Sequence, residues 1–386
     1  MTAIQRIGWD AVVRPFEELE DPRSTVNLQH PLVRVVVIAR RAVLAGASGP
    51  TAIAQGAAVK QEFLLKALPL APGIPRQDVC RRVLAALKPA AFQACLVNWL
   101  RSLRATAAAA AGVEPPVLAV DGQTARRSHA RRHGLGALPG VSVGASDFGL
   151  ALGQGAGAAQ SNEITAIPDV LRLVDIPGAI LTIDALGTQQ ASAAPLIAGD
   201  ADYVLALTGN PETLPPAVLD SIDEPSPDDC VQVKARRHQT RETGPGRDET
   251  RRSIPMPVPP RLPGLDLWKG LKSIGRVVSR GVRDGKETVE VRSSISSLGV
   301  SVKRFAHAVR SHGGMENTCP WSLDVIYHED ESRLRDEQRR ENLAWLNRFT
   351  LSLLKQHPGR ESLAMKRRSC GWSDDFLLEV LTGAAI

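Results

Sequence analysis

Two short apolar runs, each ending in an aspartate, constrain the fold of this chain most. The run VLAV precedes Asp121 and the run ILTI precedes Asp184. Such runs bounded by turn residues predict buried strands. Because the carboxyl ends of parallel strands converge on one edge of a sheet, we expect the two carboxylates to lie together there. From the residues alone two plainer roles stay open, a turn at Asp121-Gly122 and a helix cap at Asp184.

The order of the predicted elements indicates an α/β fold. The elements are strands at 117–120, 141–147 and 148–153, a helix at 163–174, a strand at 180–183, a helix at 187–198 and a strand at 203–207. The first three strands are close enough in sequence for antiparallel hairpins, whereas the later ones need crossovers. This order is typical of a ribonuclease-H-like fold with a mixed sheet flanked by helices.

Residues 1–110 predict a separate helical domain. Apolar positions recur at helical spacing in 31–45, 50–59 and 78–101, with Asp78 as a predicted N-cap. The Ala-rich run at 105–112 predicts a helix end or a linker. Residues 50–87 fit a helix-turn-helix and fit a helical scaffold equally well.

Residues 111–386 predict a second domain, interrupted at about 210–290 by a basic insertion. Residues 210–263 are rich in Pro, Gly and charge, which favours irregular structure with short strands, and 287–298 returns to strand alternation. From residue 300 onward the pattern is helical.

Composition favours a protein that binds a polyanion. The 386 residues carry a net charge of +6, which suits nucleic acid. The five cysteines are scattered without a CxxC pair, so neither a zinc site nor a disulfide framework is predicted. The apolar stretch at 31–45 contains Arg34, Arg40 and Arg41 and predicts a buried helix. No signal peptide or membrane partner is expected, and we expect a cytoplasmic, nucleoid-associated protein.

Paired carboxylates at a strand edge suit metal-dependent phosphodiester chemistry. Two divalent ions about 4 Å apart need hard oxygen ligands, and three acidic residues are the usual minimum. The third carboxylate has four candidates in the segment HGGMENTCPWSLDVIYHED. They are Glu316, Asp324, Glu329 and Asp330, and the physics of the sequence does not choose among them.

Several motifs in order resemble the H-repeat-associated group of insertion-sequence DDE transposases. The motifs that carry the resemblance are FEELEDPR (16–23), HPL (30–32), GIPRQDVCRRVLAAL (73–87), LAVDGQTARRS (118–128), GQGAGAAQSNEITAIPDVL (153–171), AILTIDALGTQQ (179–190), GDADYVLALTGN (199–210), GPGRDETR (244–251), and RSHGGMEN with LDVIYHED (310–330). They cover nearly the whole chain, and several motifs in order are far more specific than any one alone.

The resemblance implies an enzyme that cleaves DNA at the terminal inverted repeats of an insertion sequence and transfers strands into target DNA. It implies a ribonuclease-H-like catalytic domain in which Asp121, Asp184 and Glu316 hold two metal ions, Mg2+ or Mn2+. The mechanism implied is two-metal phosphoryl transfer without a covalent protein intermediate. Double-stranded DNA is the expected partner, with a homodimer in a synaptic complex.

Clusters of basic residues are candidate DNA contacts. One run follows the first aspartate without an acid in it, a second group lies in the insertion, and a third precedes Glu316. The candidates are Arg126, Arg127, Arg131, Arg132, Arg236, Arg237, Arg247, Arg251, Arg310 and His312. Solvated loops or surface ion pairs, including one between Arg310 and Glu316, are the alternatives.

Departures from the family pattern lie around Glu316. Gly313, Gly314 and Pro320 disfavour helix, so the sequence predicts a kinked or short helix there. The alternative function is therefore a catalytically inactive DNA-binding descendant of a transposase. A metal-dependent nuclease without strand transfer is a third hypothesis.

Overall fold

A computed structural model describes most of the chain. It describes residues 13–24, 26, 28–95, 98, 116–124, 139–145, 150–156, 177–184, 188, 190–207, 237–244, 247–259, 265–283 and 286–382; the side chains at 15, 67, 121–124, 139–145, 150–156, 190–191, 244, 247, 283 and 314–321 are outside this description. The predicted helix at 163–174, the Ala-rich run at 105–112 and Trp99 lie outside the described residues.

The N-terminal segment is helical, as predicted. Its helices are α1 (Leu32–Leu44), α2 (Pro50–Val59), α3 (Gln61–Ala67) and α4 (Gln77–Ala86). Helix α1 is buried along most of its length. The prediction for Asp78 was wrong, because Arg76 is the N-cap of α4 and Asp78 lies in its first turn. An acid there still faces the positive end of the helix dipole.

A mixed sheet follows, formed first by β1 (Val117–Thr124), β2 (Pro139–Ala145), β3 (Leu150–Ala156), β4 (Ile180–Ile183) and β5 (Asp202–Leu207), with α5 (Gln190–Ala198) between the last two. Strands β1, β2 and β3 pair antiparallel. Strand β4 pairs parallel with both β1 and β5. The antiparallel start and the later crossovers were both predicted correctly.

The described part of the insertion extends this sheet. It contributes β6 (His238–Gly244), β7 (Arg247–Pro257), β8 (Ser273–Arg283) and β9 (Lys286–Ser296), which give the order β3-β2-β1-β4-β5-β9-β8-β7-β6. Strands β7, β8 and β9 have 11 residues each. The expectation of irregular structure with short strands at 210–263 was therefore wrong for 247–257, whereas the strand predicted at 287–298 is confirmed by β9. Continuous ladders of backbone hydrogen bonds join these strands although their side chains are largely polar.

Helices close the chain, again as predicted. They are α6 (Val302–Val325), α7 (Glu337–Gln356), α8 (Leu363–Trp372) and α9 (Asp374–Thr382), and short 3₁₀ turns lie at Arg14–Phe16, Leu265–Leu267 and Glu329–Glu331. Helix α7 packs against α1 and α4. The Asn342 amide of α7 donates to the carbonyls of Leu84 and Leu87 at 3.0 and 2.8 Å. The N-terminal and C-terminal helices thus share contacts across the fold.

The sequence favours core anchors rather than base-stacking platforms for four tryptophans, Trp99, Trp268, Trp345 and Trp372. Trp268 and Trp345 are buried as expected. Trp372 at the end of α8 is 70% exposed, so that expectation was wrong for it. Its place in the last turn of a surface helix directs the ring to solvent.

The central strands separate two apolar clusters. Leu118, Leu181 and Ile183 face a large cluster that also contains buried residues of the N- and C-terminal helices. Val117 and Ile180 face a smaller cluster with Phe305 of α6. Because side chains alternate along a strand, α6 covers the face that carries Val117 and Ile180.

Candidate functional site

The two aspartates that follow the apolar runs lie side by side in the backbone. Val120 of β1 is the parallel partner of Ile183 of β4, so Asp121 and Asp184 are the next residues on adjacent strands. Neighbouring strands are about 4.8 Å apart. Asp121 also pairs with Ser142 of β2. The register therefore brings these two backbone positions together at the carboxyl ends of β1 and β4.

The end of β4 is fixed by a local hydrogen bond. Asp184 is half-buried, and its carbonyl accepts a hydrogen bond of 2.8 Å from the hydroxyl of buried Thr188. This bond holds the chain as it leaves the sheet. Of the three predicted metal ligands, the structure describes the side chain of Asp184; those of Asp121 and Glu316 are outside it. Among the described side chains, no group of three His, Cys, Asp or Glu residues could hold a metal.

Helix α6 is anchored across the face of the sheet that bears these positions. Near its start, Arg304 forms an ion pair of 3.2 Å with Asp202 of β5. Two turns later, His312 Nδ1 lies 2.9 Å from the hydroxyl of Thr182 on β4. Thr182 precedes Asp184 by two residues and shares its face by strand alternation. The helix therefore meets β4 next to the end that carries Asp184.

Glu316 lies in α6, four residues after His312 and so one turn further along the same helix face. The 24-residue helix continues through Gly313, Gly314 and Pro320, so the alternative of a short helix was wrong, and the alternative of a kink stays a prediction. Packing of α6 against β1, β4 and β5 offsets the poor helix propensity of these residues.

The candidate DNA contacts divide into three groups. Those outside the described residues are Arg126, Arg127, Arg131, Arg132 and Arg236. Arg237 is exposed next to β6, and Arg247 begins β7 with its side chain outside the description. Arg251, Arg310 and His312 have described side chains with defined partners.

Two of those arginines contact one carboxylate. Arg310 of α6 lies 2.6 Å from Glu242 of β6, and Arg251 of β7 lies 4.0 Å from the same carboxylate. Arg251 also forms a close ion pair with buried Glu249. An ion pair of Arg310 with Glu316 was considered from the sequence; the described partner is Glu242. The far hairpin of the insertion thus touches the helix that carries Glu316.

Sequence analysis missed Thr182, Glu242 and Arg304. Each makes its contact with a residue at least 68 positions away along the chain. Nothing local in the sequence distinguishes such residues from ordinary surface or strand positions. Only the polar Thr182 inside the apolar run ILTI offered a signal, since a buried hydroxyl needs a partner.

Comparison with protein families assigns the chain. Residues 113–354 match the family described as "Transposase DDE domain", and residues 13–100 match the one described as "DDE_Tnp_1-associated". The chain belongs to the DDE transposase family. The resemblance to the H-repeat-associated group is confirmed by relatives. The "H repeat-associated putative transposase YhhI" of Escherichia coli is 30% identical over 379 residues, which are 95% of this chain and 97% of that protein. The "Putative transposase YncI" of another strain of that species is 31% identical over 95% of this chain and 93% of that protein.

Family membership supports a transposase role for this DDE transposase, and it implies DNA as the substrate. DDE transposases generally use divalent metal ions. A solved piggyBac transposase synaptic complex with hairpin DNA is 10% identical in sequence to this chain. The superposition covers 97% of this chain and 82% of the piggyBac chain. Its TM-score of 0.40 is too low to show a common fold. None of the helices among the described residues has the length and apolarity to cross a membrane.

Proposed function

We propose that this DDE transposase cleaves DNA at the terminal inverted repeats of its insertion sequence and joins the released ends to target DNA. In this proposal Asp121, Asp184 and Glu316 are the catalytic carboxylates. The observation that carries it is the parallel register of β1 and β4, since that register makes positions 121 and 184 neighbours at a strand edge.

The course of α6 supports Glu316 as the third carboxylate. From His312 to Glu316 the helix advances about 6 Å. From Thr182 to Asp184 the strand advances about 6.6 Å. Arg304 contacts Asp202, which pairs with Ile180, and His312 contacts Thr182, so α6 runs toward the end of β4 that carries Asp184. Glu316 lies one turn further in that direction. The other acids proposed from the sequence, Asp324, Glu329 and Asp330, lie at or beyond the far end of α6.

The three carboxylates fit a pair of Mg2+ or Mn2+ ions by their chemistry. All three offer hard oxygen donors, and Asp184 is half-buried at a strand end rather than fully exposed. When bound, such ions supply an activated water or 3′-hydroxyl and stabilise the leaving oxygen. The chain's own part is to hold the carboxylates in place, and misplacement of such a site lowers the rate steeply.

Positioning of the site falls to residues around it. Thr182 fixes the turn of α6 that precedes Glu316 through its contact with His312, and Thr188 fixes the backbone of Asp184. Arg304 anchors the start of α6 to β5 through Asp202. In this proposal these contacts fix the backbone that presents Asp184 and Glu316, so the backbone needs little rearrangement when DNA binds.

A ribonuclease-H-like fold is part of the proposal. The order β3-β2-β1-β4-β5, with an antiparallel first half and parallel β1, β4 and β5, supports it. Strands β6–β9 then extend the sheet at the β5 edge, between Asp184 and Glu316 in sequence. We propose the division into a helical domain at 1–110 and a catalytic domain at 111–386 as well.

Basic residues supply the proposed contacts to terminal-repeat and target DNA. They comprise Arg126, Arg127, Arg131, Arg132, Arg236, Arg237, Arg247, Arg251, Arg310 and His312. Strand transfer needs two element ends in one assembly, so the proposal includes a homodimer in a synaptic complex in the nucleoid. Such contacts neutralise phosphates and make binding salt-dependent.

Nicking of a labelled duplex that carries the terminal repeat tests this proposal. We expect nicking by the native chain with magnesium or manganese. Asp121→Asn, Asp184→Asn and Glu316→Gln should each lower its rate by about a thousandfold or more, because several kcal/mol of transition-state stabilisation are lost.

Asp324→Asn is the matched control, because Asp324 lies on the same helix and was an alternative third ligand. Nicking that is retained in this control and lost in the three variants supports the triad. Nicking lost in Asp324→Asn and retained in Glu316→Gln would move the third ligand to Asp324. DNA binding without nicking in either metal would instead identify an inactive DNA-binding descendant.

A further inference from the structure

Two arginines lie around the carboxylate of Glu242, as they would around a bound anion. Glu242 Oε2 lies 2.6 Å from Arg310 and Oε1 lies 4.0 Å from Arg251. The arginines come from different elements, α6 and β7, and converge on one carboxylate of β6. Two guanidinium groups around one anion are also what recognises a phosphate.

We propose that Arg251 and Arg310 form a binding site for one DNA backbone phosphate, and that Glu242 occupies this site until DNA displaces it. This inference rests on the proposed function, because it takes DNA as the partner. It adds a named phosphate contact and a carboxylate that competes for it. Glu242 thereby weakens the binding of DNA whose phosphate must displace it from the two arginines.

Glu242 is able to leave this position. It belongs to β6, the outermost strand of the sheet, which pairs only with β7 in the described sheet. Its side chain is 48% exposed and that of Arg310 is 50% exposed. Exposed ion pairs of this kind contribute little to stability. A phosphate that offers several acceptor oxygens can therefore replace the carboxylate.

The two arginines stay in place when Glu242 leaves. Arg251 keeps its close ion pair with Glu249, whose side chain is only 9% exposed. Arg310 precedes His312 by two residues on α6, and His312 is fixed by Thr182. The guanidinium of Arg251 and the helix backbone that carries Arg310 are thus held in place without Glu242.

The site lies near the proposed catalytic edge. Arg310 precedes Glu316 by six residues, which is about 9 Å along the helix axis. This length is roughly the axial rise of two to three nucleotides of duplex DNA. The phosphate held by Arg251 and Arg310 would then be a near neighbour of the bond that is cut, and its capture would align the strand.

Binding of a labelled 30-bp duplex of random sequence, measured without metal ions across a salt series, tests the inference. Glu242→Gln removes the competing charge and preserves shape, so we expect about three- to tenfold tighter binding at low salt and a steeper salt dependence. Arg251→Gln and Arg310→Gln should each bind more weakly than the native chain. The gain from Glu242→Gln should disappear when it is combined with Arg310→Gln.

Glu290→Gln is the matched control, because Glu290 is an exposed carboxylate of β9 that is ion-paired with Arg292 at 2.8 Å. It changes the net charge equally, and we expect less than about a twofold effect. Equal gains from Glu242→Gln and Glu290→Gln would overturn the inference in favour of a general charge effect. Unchanged or weaker binding by Glu242→Gln would overturn it too, as would a gain that persists with Arg310→Gln.

The nicking assay separates this inference from the proposed function. Metal-dependent nicking by the native chain, together with no gain from Glu242→Gln, would reject the phosphate site alone. Absence of both nicking and DNA binding from the native chain and every variant would reject both.

Discussion

The two halves of the sheet, β1–β5 and β6–β9, differ in the burial of their described side chains. Strand β4 is a run of four buried residues, β1 is buried at 117–120, and β5 is buried at its centre. Strand β9 begins with seven exposed residues and reaches the core only near its end. Strands β1, β4 and β5 are held by apolar packing on both faces. They lie next to positions 121 and 184, whereas β9, in the arm formed by β6–β9, presents mainly exposed residues.

The halves meet at one junction. Strand β9 pairs antiparallel with β5, and α6 crosses from Phe305 near β8 to His312 near β4. The same helix thus supports the arm and carries Glu316. A change at this junction should affect both halves.

The largest expected difference in stability is between buried and exposed apolar residues of the two halves. Leu181 of β4 is fully buried, so Leu181→Ala should lower the free energy of unfolding by about 2–5 kcal/mol. Val289 of β9 is 58% exposed, so Val289→Ala should change it by less than about 0.5 kcal/mol. Urea unfolding followed by circular dichroism measures both. Similar losses of unfolding free energy in the two variants would contradict this difference between the two halves.

Added side-chain volume at the junction, where α6 packs against β8, should destabilise the fold. A Cβ on Gly275 of β8 would overlap the ring of Phe305, so Gly275→Ala should destabilise the fold by about 1–3 kcal/mol. Gly281 lies on the same strand in the arm, where an added Cβ meets only Thr288 Oγ1 at 3.2 Å. Gly281→Ala is the control and should change the unfolding midpoint far less. A larger loss in the control would place the critical contact in the arm.

The smallest predicted stability effect concerns the hydrogen bond beside the catalytic edge. Thr182→Val keeps the shape of the side chain and removes the 2.9 Å contact with His312, which should lower the free energy of unfolding by about 1 kcal/mol. Thr288→Val in the arm removes a 3.2 Å hydrogen bond at an exposed site and is the control. Because His312 positions α6, Thr182→Val should also slow nicking by about tenfold. An unchanged nicking rate would show that Thr182 does not position Glu316.

Strands β1 and β4 were predicted well because buried strands consist of apolar residues, and such runs are recognisable in the sequence. The run at 180–183 predicted β4 with its observed bounds, and 117–120 predicted the first half of β1. Strands β2 and β3 were each misplaced by about two residues, at 139–145 and 150–156. Their glycine-rich sequences carry little apolar alternation, so they fix the boundaries poorly.

Within the arm, the strand at 287–298 was predicted and is confirmed as β9, whereas β6 and β7 were not predicted as long strands. Polar strands such as β6 and β7 are specified by pairing with neighbours, and that pairing is not visible in a local window of sequence. The contact between Arg310 and Glu242 joins residues 68 positions apart and depends on how the far hairpin reaches α6. The placement of Asp121 and Asp184 on adjacent strand ends could be predicted because each follows an apolar run. The catalytic role of both aspartates, the choice of Glu316 and the domain division near residue 110 stay predictions.

Manganese anomalous diffraction from crystals of the protein bound to a terminal-repeat duplex would show directly which carboxylates hold the metal ions. We expect two peaks about 4 Å apart among Asp121, Asp184 and Glu316. Manganese absent from these carboxylates but bound at Asp324, Glu329 or Asp330 would contradict this expectation.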